Sequence, residues 1–543
     1  MSKKPEKKVI EVNPEQLAAI LEKTKAALSP EEHETLKATV TTAVFLQEEI
    51  KKKATTIKRL RAWLFGASTE KTAKVVGDER AALKKQARAD ARDGDKPAGH
   101  GRNAAAAYTG AHRVRTEHPT LHRGDTCPLC PKGRVYPMEE PELLVRVTGV
   151  APLSAAVYEN QRLRCNLCGE VFTAPAPEEA GDQKKKYDET ATAMVGELKY
   201  GTGLPFNRIA KLQDGMGVPL PAATQWDLVK DGAAKLEPAH KELIRQAAQG
   251  KVLHNDDTTM KILELTREQR AAAAADEETD ERTGVFTSGI VSTSKGHHIA
   301  LFFTGTQHAG ENLADVLAER AADLPKPIQM CDALGTNTAG DFEAIVANCM
   351  AHARRKYVDV AQHFPDECRH VLETLREIYK NDATARKQKM SATVRLAFHK
   401  EHSGPLMNDL EEWMQKQFDE RLVEPNSALG ETISYMQTHW QKLTLFLRKA
   451  GAPLDNNICE RALKKAILHR KNALFYKTTN GARVGDIFMS FIHTAELNKV
   501  KPFDYLVAML RHPKELAAAP ADWMPWNYTE TIARLNATAS PAH

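Results

Sequence analysis

Two short apolar runs that each stop at an acidic residue constrain the fold of this chain more than any other feature. Lys251-Val252-Leu253-His254-Asn255-Asp256-Asp257-Thr258 ends on an acidic pair, and Pro327-Ile328-Gln329-Met330-Cys331-Asp332-Ala333 ends on a single aspartate. Both read as strands, and strand ends are where α/β folds place chemistry. Between them lie two further β-branched and aromatic runs, 284–291 and 298–303, split by a turn-like Ser-Lys-Gly stretch, and then a helix-like segment from Glu311 to Ala322. Because side chains alternate along a strand, only one of Asp256 and Asp257 can face a common site; Asp256 is assigned to it.

A third acid lies in a basic helix. In Leu454-Asp455-Asn456-Asn457-Ile458-Cys459-Glu460-Arg461, continuing to Phe475, Asp455 or Asn456 can cap the helix, and helical periodicity puts Glu460, Lys464 and Lys471 on one face, away from Cys459, Ala462 and Ala466. Taken alone, Glu460 and Lys464 are an ordinary i,i+4 ion pair on a solvated helix. Taken with Asp256 and Asp332, they complete the order of a ribonuclease-H-like fold: three strands, a helix, a fourth strand, and a late helix bearing the last acid. Three carboxylates so placed suit two Mg²⁺ ions, or Mn²⁺, roughly 3.5 to 4 Å apart, which act on the attacking and leaving oxygens of a phosphodiester. Oxygen ligands favour Mg²⁺ over zinc.

These residues carry a resemblance. His254-Asn255-Asp256-Asp257-Thr258 resembles the HxDET motif, Asp332 the strand-end aspartate, and Asn456-Asn457 through Glu460-Arg461 with Arg470-Lys471-Asn472 the NNxxER and RKN blocks of insertion-sequence-66 family transposases. Leu60 to Lys71 is similar to that family's LRxxLFGxxSEK segment and Ala351-His352-Ala353-Arg354-Arg355-Lys356-Tyr357 to its AHARRKF segment, so the resemblance spans roughly residues 40 to 510. Two departures are Asp257, where the family usually has Glu, and Ala333, where Gly is common. The resemblance implies a bacterial DDE transposase with Asp256, Asp332 and Glu460 as catalytic, magnesium-binding residues. It would cleave transposon ends to expose 3′-hydroxyls, then join these to target DNA. Implied partners are double-stranded DNA at element ends and target, further copies of the chain, and element-encoded accessory proteins; the implied location is the cytoplasm, at the nucleoid.

Basic residues near the site read as phosphate contacts: Lys464, Arg470 and Lys471 on the late helix, and His352, Arg354 and Arg355 after a strand-like run at 345–350. Anchoring of neighbouring segments is the alternative for the arginines. A net charge of +5 over 543 residues is too small to argue for a polyanionic partner by itself, so local clustering carries that reading. No apolar run is long enough to span a bilayer, and no apolar signal core follows the basic N-terminus, so no membrane role or secretion is expected.

Four of the eight cysteines form two CxxC pairs, Cys127 with Cys130 and Cys165 with Cys168, which suit one tetrahedral, closed and therefore structural Zn²⁺ in a zinc ribbon. Cys331, Cys349, Cys368 and Cys459 lack such spacing and read as small buried hydrophobes. Overall the chain reads as multidomain α+β: an N-terminal helical, coiled-coil region at 1–71, a basic flexible linker at 72–120, the zinc ribbon at 121–175, and a helix-turn-helix-like region at 187–250. That region contains Arg208 on its first helix and a second helix from Pro221 to Gly232, offered for DNA. A ribonuclease-H-like α/β catalytic domain at 251–510, with a helical insertion at about 361–450, and a tail at 511–543 complete the chain. Two other functions fit the residues: a non-catalytic zinc-dependent DNA-binding or assembly protein, and a ribonuclease-H-like nuclease without strand transfer.

Overall fold

The computed structural model describes residues 185–267, 284–340 and 342–539 without a break, shorter stretches between 119 and 182, and a few positions between 23 and 37. The expected coiled coil at 43–64, the basic linker and Cys130, Cys165 and Cys168 lie outside the described residues. Residues 1–81 and 82–543 form separate units, and the description below concerns the second.

Around the first CxxC the chain doubles back, with Cys127 N–H donating to Gly133 O at 2.9 Å and Thr126 bridging Arg134. Strands β1 (Arg162–Arg164) and β2 (Val171–Thr173), antiparallel, flank the second. Helix α1 (Glu189–Gly196) then runs into a π-helical turn, Glu197–Gly201, followed by α2 (Phe206–Gly215) and α3 (Ala222–Ala248). The sequence predicts that the second helix of this pair stops near Gly232, but α3 continues for 27 residues. Gly232 does not end it because the backbone there is packed: a Cβ at Gly232 would lie 2.7 Å from Thr192. Val229, Ala233, Leu236, Ala239 and Leu243 bury one stripe of α3 in the main core.

That core is organised by a mixed five-stranded sheet in the order β5-β4-β3-β6-β7, making the unit α+β. Strands β3 (Val252–Thr259), β4 (Phe286–Ser294) and β5 (His297–Gly305) are antiparallel neighbours, while β6 (Ile328–Cys331) and β7 (Ile345–Asn348) run parallel to β3. Helix α4 (Ala309–Ala318) lies between β5 and β6 in sequence, where a helix is expected. After β7 come α5 (Met350–Val360) and the insertion: α6 (Pro365–Lys387), α7 (Ala392–His402), α8 (Gly404–Asp419), α9 (Ala428–Thr438) and α10 (Trp440–Leu443). The insertion buries its own apolar set, including Leu372, Leu375, Leu410 and Ile433. Its one deeply buried acid, Asp382, is matched by Arg395 at 2.6 Å and Arg386 at 2.8 Å.

Helix α11 (Asn457–Ala473) covers one face of the sheet and α4 the other. Helix α12 (Thr479–Leu497) is buried along most of its length and lies on edge strand β5. The closing helices are α13 (Pro502–Arg511), α14 (Pro513–Ala518) and α15 (Tyr528–Ala539). Within the segment that the sequence predicts to be a tail, residues 511–539 contribute to the core: Leu516, Trp523 and Met524 are fully buried, and Tyr505 Oη donates to Trp523 O at 2.7 Å.

Gly310, in the first turn of α4, sets the approach of the loop after β6. A Cβ there would stand 2.0 Å from Thr338 O and 2.6 Å from Thr336 O. Gly310→Ala is therefore expected to displace residues 335–338 and cost about 1 to 3 kcal/mol, as for other overpacking changes. A melting temperature equal to that of the wild type would contradict this packing.

Candidate active site

Alternation along β3 sends the neighbouring acids to opposite faces. Asp257 lies opposite Ser288 and faces α4, where His308 Nδ1 meets its carboxylate at 2.9 Å and Asn312 donates to Ser288 Oγ at 2.9 Å. Asp256 lies opposite Gly289 on the face covered by α11. The missing side chain at Gly289 matters, since a Cβ there would come within 3.0 Å of Leu463 on that helix. Gly289 thus lets α11 approach the strand next to Asp256.

Asp332 follows the last residue of β6. Its Oδ1 accepts from Asn337 Nδ2 at 2.6 Å and Leu334 N–H at 3.1 Å, and its carbonyl accepts from Asn348 Nδ2 at 3.0 Å. Asn337 is itself gripped, because its carbonyl accepts from both Asn255 Nδ2 at 2.8 Å and Gln329 Nε2 at 2.6 Å. Gln329 also donates to Asn255 Oδ1 at 3.0 Å. The Asp332 loop is therefore tied to β3 through buried amides whose partners are protein groups, an arrangement that fixes orientation.

Glu460 sits in the first turn of α11. The helix is pinned by Asn456, fully buried, which donates through Nδ2 to Asn255 O at 3.0 Å, faces His254 Nδ1 through Oδ1 at 3.0 Å, and donates its N–H to Cys349 Sγ at 3.1 Å. Burial pushes His254 down to about 4, so the neutral ring donates from Nδ1 to the Asn456 oxygen. Capping falls instead to Asp455, which accepts from Asn457 N–H at 3.1 Å and Asn457 Nδ2 at 2.6 Å. Glu460 faces α5: Oε1 is 3.7 Å from His352 Nδ1 and Oε2 is 3.6 Å from Arg355. Neither Oε1 nor His352 Nδ1 has a hydrogen-bond partner, and both atoms are buried.

The three acids share one electrostatic environment. Burial raises Asp256 to about 7, with Asp332, Asp257 and Glu460 adding repulsion against its ionised form and the Asp257 N–H opposing them. A cation beside Asp256 would favour its ionised form, and the oxygen donors there suit Mg²⁺. Among the described residues, however, the set whose donor atoms all lie within 4.8 Å of one another is Cys349, His352 and Glu460, not the three carboxylates.

Of the cations predicted to meet phosphate, Lys464 and Lys471 are exposed on α11 and Arg208 is exposed on α2. Arg470 is instead bound to the end of β3, donating to Thr258 Oγ1 at 3.1 Å, Thr259 Oγ1 at 2.6 Å and Thr259 O. His352 and Arg355 face Glu460, and Arg354 is half-buried on the same helix. Sequence reasoning singled out Asn456 as a cap and a motif residue but not its contacts with β3, and it missed Asn337 and Cys349 as site-forming groups; a Cys349-x-x-His352 spacing was the available signal for the last. It also missed Tyr435 of the insertion, which burial and then Asp332 push up to about 12, and over whose ring Lys356 sits at 4.3 Å.

A sheet with carboxylates that influence one another electrostatically, a helix laid over it and cations on the adjoining surfaces is suited to work on a polyanion. The chain belongs to the Transposase IS66 family, whose profile matches residues 184–484, more than half its length. It is also similar to two uncharacterized proteins of Sinorhizobium fredii (strain NBRC 101917 / NGR234). With y4hP it is 25% identical over 78% of this chain and 76% of the relative, and with y4jD 25% identical over 78% and 81%. No helix among the described residues is long and apolar enough to cross a membrane.

The raised value at Asp256 has a signed consequence for stability. An unfolded chain ionises this group near its ordinary value of 3.8 and the folded chain near 7, so between these limits the folded protein holds more protons and loses stability as pH rises. Above about 7 the loss is complete. Asp256→Asn should therefore raise stability at pH 8 by on the order of 1 to 4 kcal/mol and reduce the slope between pH 4 and 7. Asp486, also raised to about 7 in α12, keeps part of that slope in the variant. Melting curves across this range, without divalent ions, check it; a superimposable pH profile for wild type and variant would refute the coupling.

Proposed function

We propose that this protein is a DDE transposase whose sheet is a ribonuclease-H-like catalytic domain, cleaving DNA at transposon ends and joining the exposed 3′-hydroxyls to target DNA. The observation that carries the reading is the placement of Asp256 on the sheet face covered by α11, half-buried and raised by desolvation with repulsion from Asp332 and Glu460. The strand order, with β3 central and β6 parallel to it, supports the fold assignment. Asp256, Asp332 and Glu460 would hold Mg²⁺ or Mn²⁺, which when bound supplies charge neutralisation and activation of a phosphodiester-attacking oxygen. Asn337 fixes the Asp332 carboxylate, Asn456 fixes the start of α11, and Arg355 holds Glu460 from the outer side. Lys464 and Lys471 present free charge to the DNA backbone, whereas Arg470 secures α11 to β3.

The zinc ribbon, with Cys127, Cys130, Cys165 and Cys168 on structural Zn²⁺, belongs to the same proposal, as do self-association, accessory proteins, DNA contact by α2 and α3, and a cytoplasmic, nucleoid-associated location. The isolated bridge between Thr126 and Arg134 at the first CxxC and the β1–β2 pair flanking the second favour the ribbon.

Asp256→Ala, Asp332→Ala and Glu460→Ala are each expected to reduce strand cleavage by at least about a thousandfold, the scale of removing a principal electrostatic catalyst, while end binding persists. Incubation with element-end DNA, a target and Mg²⁺, followed by junction sequencing, checks this. Cleaved ends without joined products would indicate a nuclease, and no metal-dependent cleavage by the wild type would indicate an assembly protein. In the same system Lys464→Gln with Lys471→Gln should weaken DNA binding across sequences and lower the log-log salt slope by about one per lost contact. Arg470→Gln should instead lower the melting temperature; an unchanged salt slope in the lysine pair would remove them from the DNA interface.

A further inference from the structure

We propose that Cys349, His352 and Glu460 form a site for a borderline-soft divalent transition metal such as Zn²⁺, distinct in ligand chemistry from the carboxylate site on the sheet. Cys349 caps the N-terminus of α5 and His352 is the third residue of that helix, so a C-x-x-H spacing turns both towards the first turn of α11. The Asn456 N–H that donates to Cys349 Sγ fixes the sulfur one turn before Glu460. Their three donor atoms lie within 4.8 Å of one another, and His352 Nδ1 and Glu460 Oε1 are 3.7 Å apart. Nitrogen, oxygen and sulfur ligand atoms on a tetrahedral Zn²⁺ are separated by about 3.3 to 3.6 Å, given bonds of about 2.0 to 2.3 Å. The histidine–glutamate edge is therefore nearly formed, and rotations moving the remaining donors by about 1 Å close the set.

The unmet bonding capacity at this place is the second, independent observation. His352 Nδ1 and Glu460 Oε1 are both buried and without hydrogen bonds, at a separation too long for one to serve the other. A shared cation satisfies both at once. Sulfur and imidazole nitrogen are ligands that Mg²⁺ avoids and Zn²⁺ prefers, so the locus selects against the ion expected on the sheet. Binding displaces the Cys349 thiol proton to solvent and changes no oxidation state; a water completes the fourth position.

Occupancy has a consequence that rests on the transposase reading. With Oε1 on the metal and Oε2 beside Arg355, both oxygens of Glu460 are engaged on the α5 side, away from Asp256 and Asp332. Zn²⁺ would then inhibit by holding the third carboxylate out of the catalytic set.

Full-length wild type, Cys349→Ser and His352→Gln are to be equilibrated with Zn²⁺, freed of loose metal and assayed for zinc per chain, with circular dichroism as the folding control. The wild type should retain one more zinc than either variant, whatever the CxxC cysteines hold. Equal zinc in all three overturns the site. Serine keeps an acceptor for the Asn456 N–H, and should Cys349→Ser still misfold, His352→Gln decides alone. With Co²⁺ in place of Zn²⁺, the sulfur-to-cobalt absorption should be weaker in Cys349→Ser than in the wild type, and an identical spectrum again rejects the site. These readouts need no catalytic activity. For inhibition, Zn²⁺ added at fixed Mg²⁺ should suppress wild-type DNA cleavage at least tenfold more than it suppresses that of His352→Gln, each relative to its own zinc-free rate. Equal suppression would reject the withdrawal of Glu460 while leaving the metal count to judge the site.

Discussion

The buried side chain of Asn456 is the interaction on which the arrangement of the site depends. Its amide and backbone N–H reach three places far apart in sequence: the His254 ring, the Asn255 carbonyl and the Cys349 sulfur. All of its hydrogen bonds are to protein, so its burial costs little while any substitute strands several polar groups. Alanine would orphan the His254 Nδ1–H and the Asn255 carbonyl; aspartate would add a charge beside residues that already repel one. The same residue that starts α11 therefore also sets where its first turn stands relative to β3, and hence where Glu460 stands relative to Asp256.

A different geometric match closes the far side of the sheet. Strand β5 is an edge, and its unpaired N–H groups at His298, Ala300, Phe302 and Thr304 recur every second residue. Helix α12 and the residue that caps it meet them with Asn498, Thr494, Ser490 and Asp486, spaced every fourth residue. Four helical residues rise about 6.0 Å and two strand residues about 6.6 Å, so the two ladders stay nearly in step for four rungs. An edge that would otherwise recruit another strand is thereby capped by side chains. Strand β5 and, through it, β4 and β3 are held in a fixed register beneath α11.

This explains what was legible in the sequence and what was not. The β3 and β6 runs were readable because apolar alternation ended at acids, and the same alternation separated Asp256 from Asp257 before the His308 partner was visible. The insertion was readable because its helices carry their own apolar stripes. The contact of Arg470 with the end of β3 was not readable, because a basic helix face looks alike whether its arginine meets a neighbouring strand or solvent; only the position of Thr258 and Thr259 shows it. Gly232 looked like a helix stop because the sequence does not show that Thr192 packs on its bare backbone. The polar ladder on α12 was unread for a related reason: serine, threonine and aspartate in a helix suggest solvent until an open strand edge is known to face them. Residues 511–539 likewise looked like a tail because Leu516, Trp523 and Met524 are sparse in sequence and gathered only by the fold.

In the proposed scheme, electrostatics would divide the site between two sets of groups that compete for one side chain. Asp256 and Asp332 are fixed to the sheet, the first by β3 itself and the second by Asn337 and the amides behind it. Glu460 stands on the helix turn that Asn456 pins, and its carboxylate meets the more distant charges of His352 and Arg355, at 3.7 and 3.6 Å. Without a cation on the sheet, repulsion from the aspartates and attraction to Arg355 both direct it towards α5, where His352 and Cys349 also lie. Under the transposase reading, one divalent cation held by the aspartates would cancel their two negative charges and so remove the repulsion, and a second would make that side net positive and attractive to Glu460. If both proposed sites hold, the position of Glu460 would depend on which metal arrives: an oxygen-seeking ion would gather all three carboxylates, whereas a sulfur- and nitrogen-seeking ion would keep Glu460 with α5. The discrimination lies in the donor atoms of the two destinations, not in any difference of net charge between the ions.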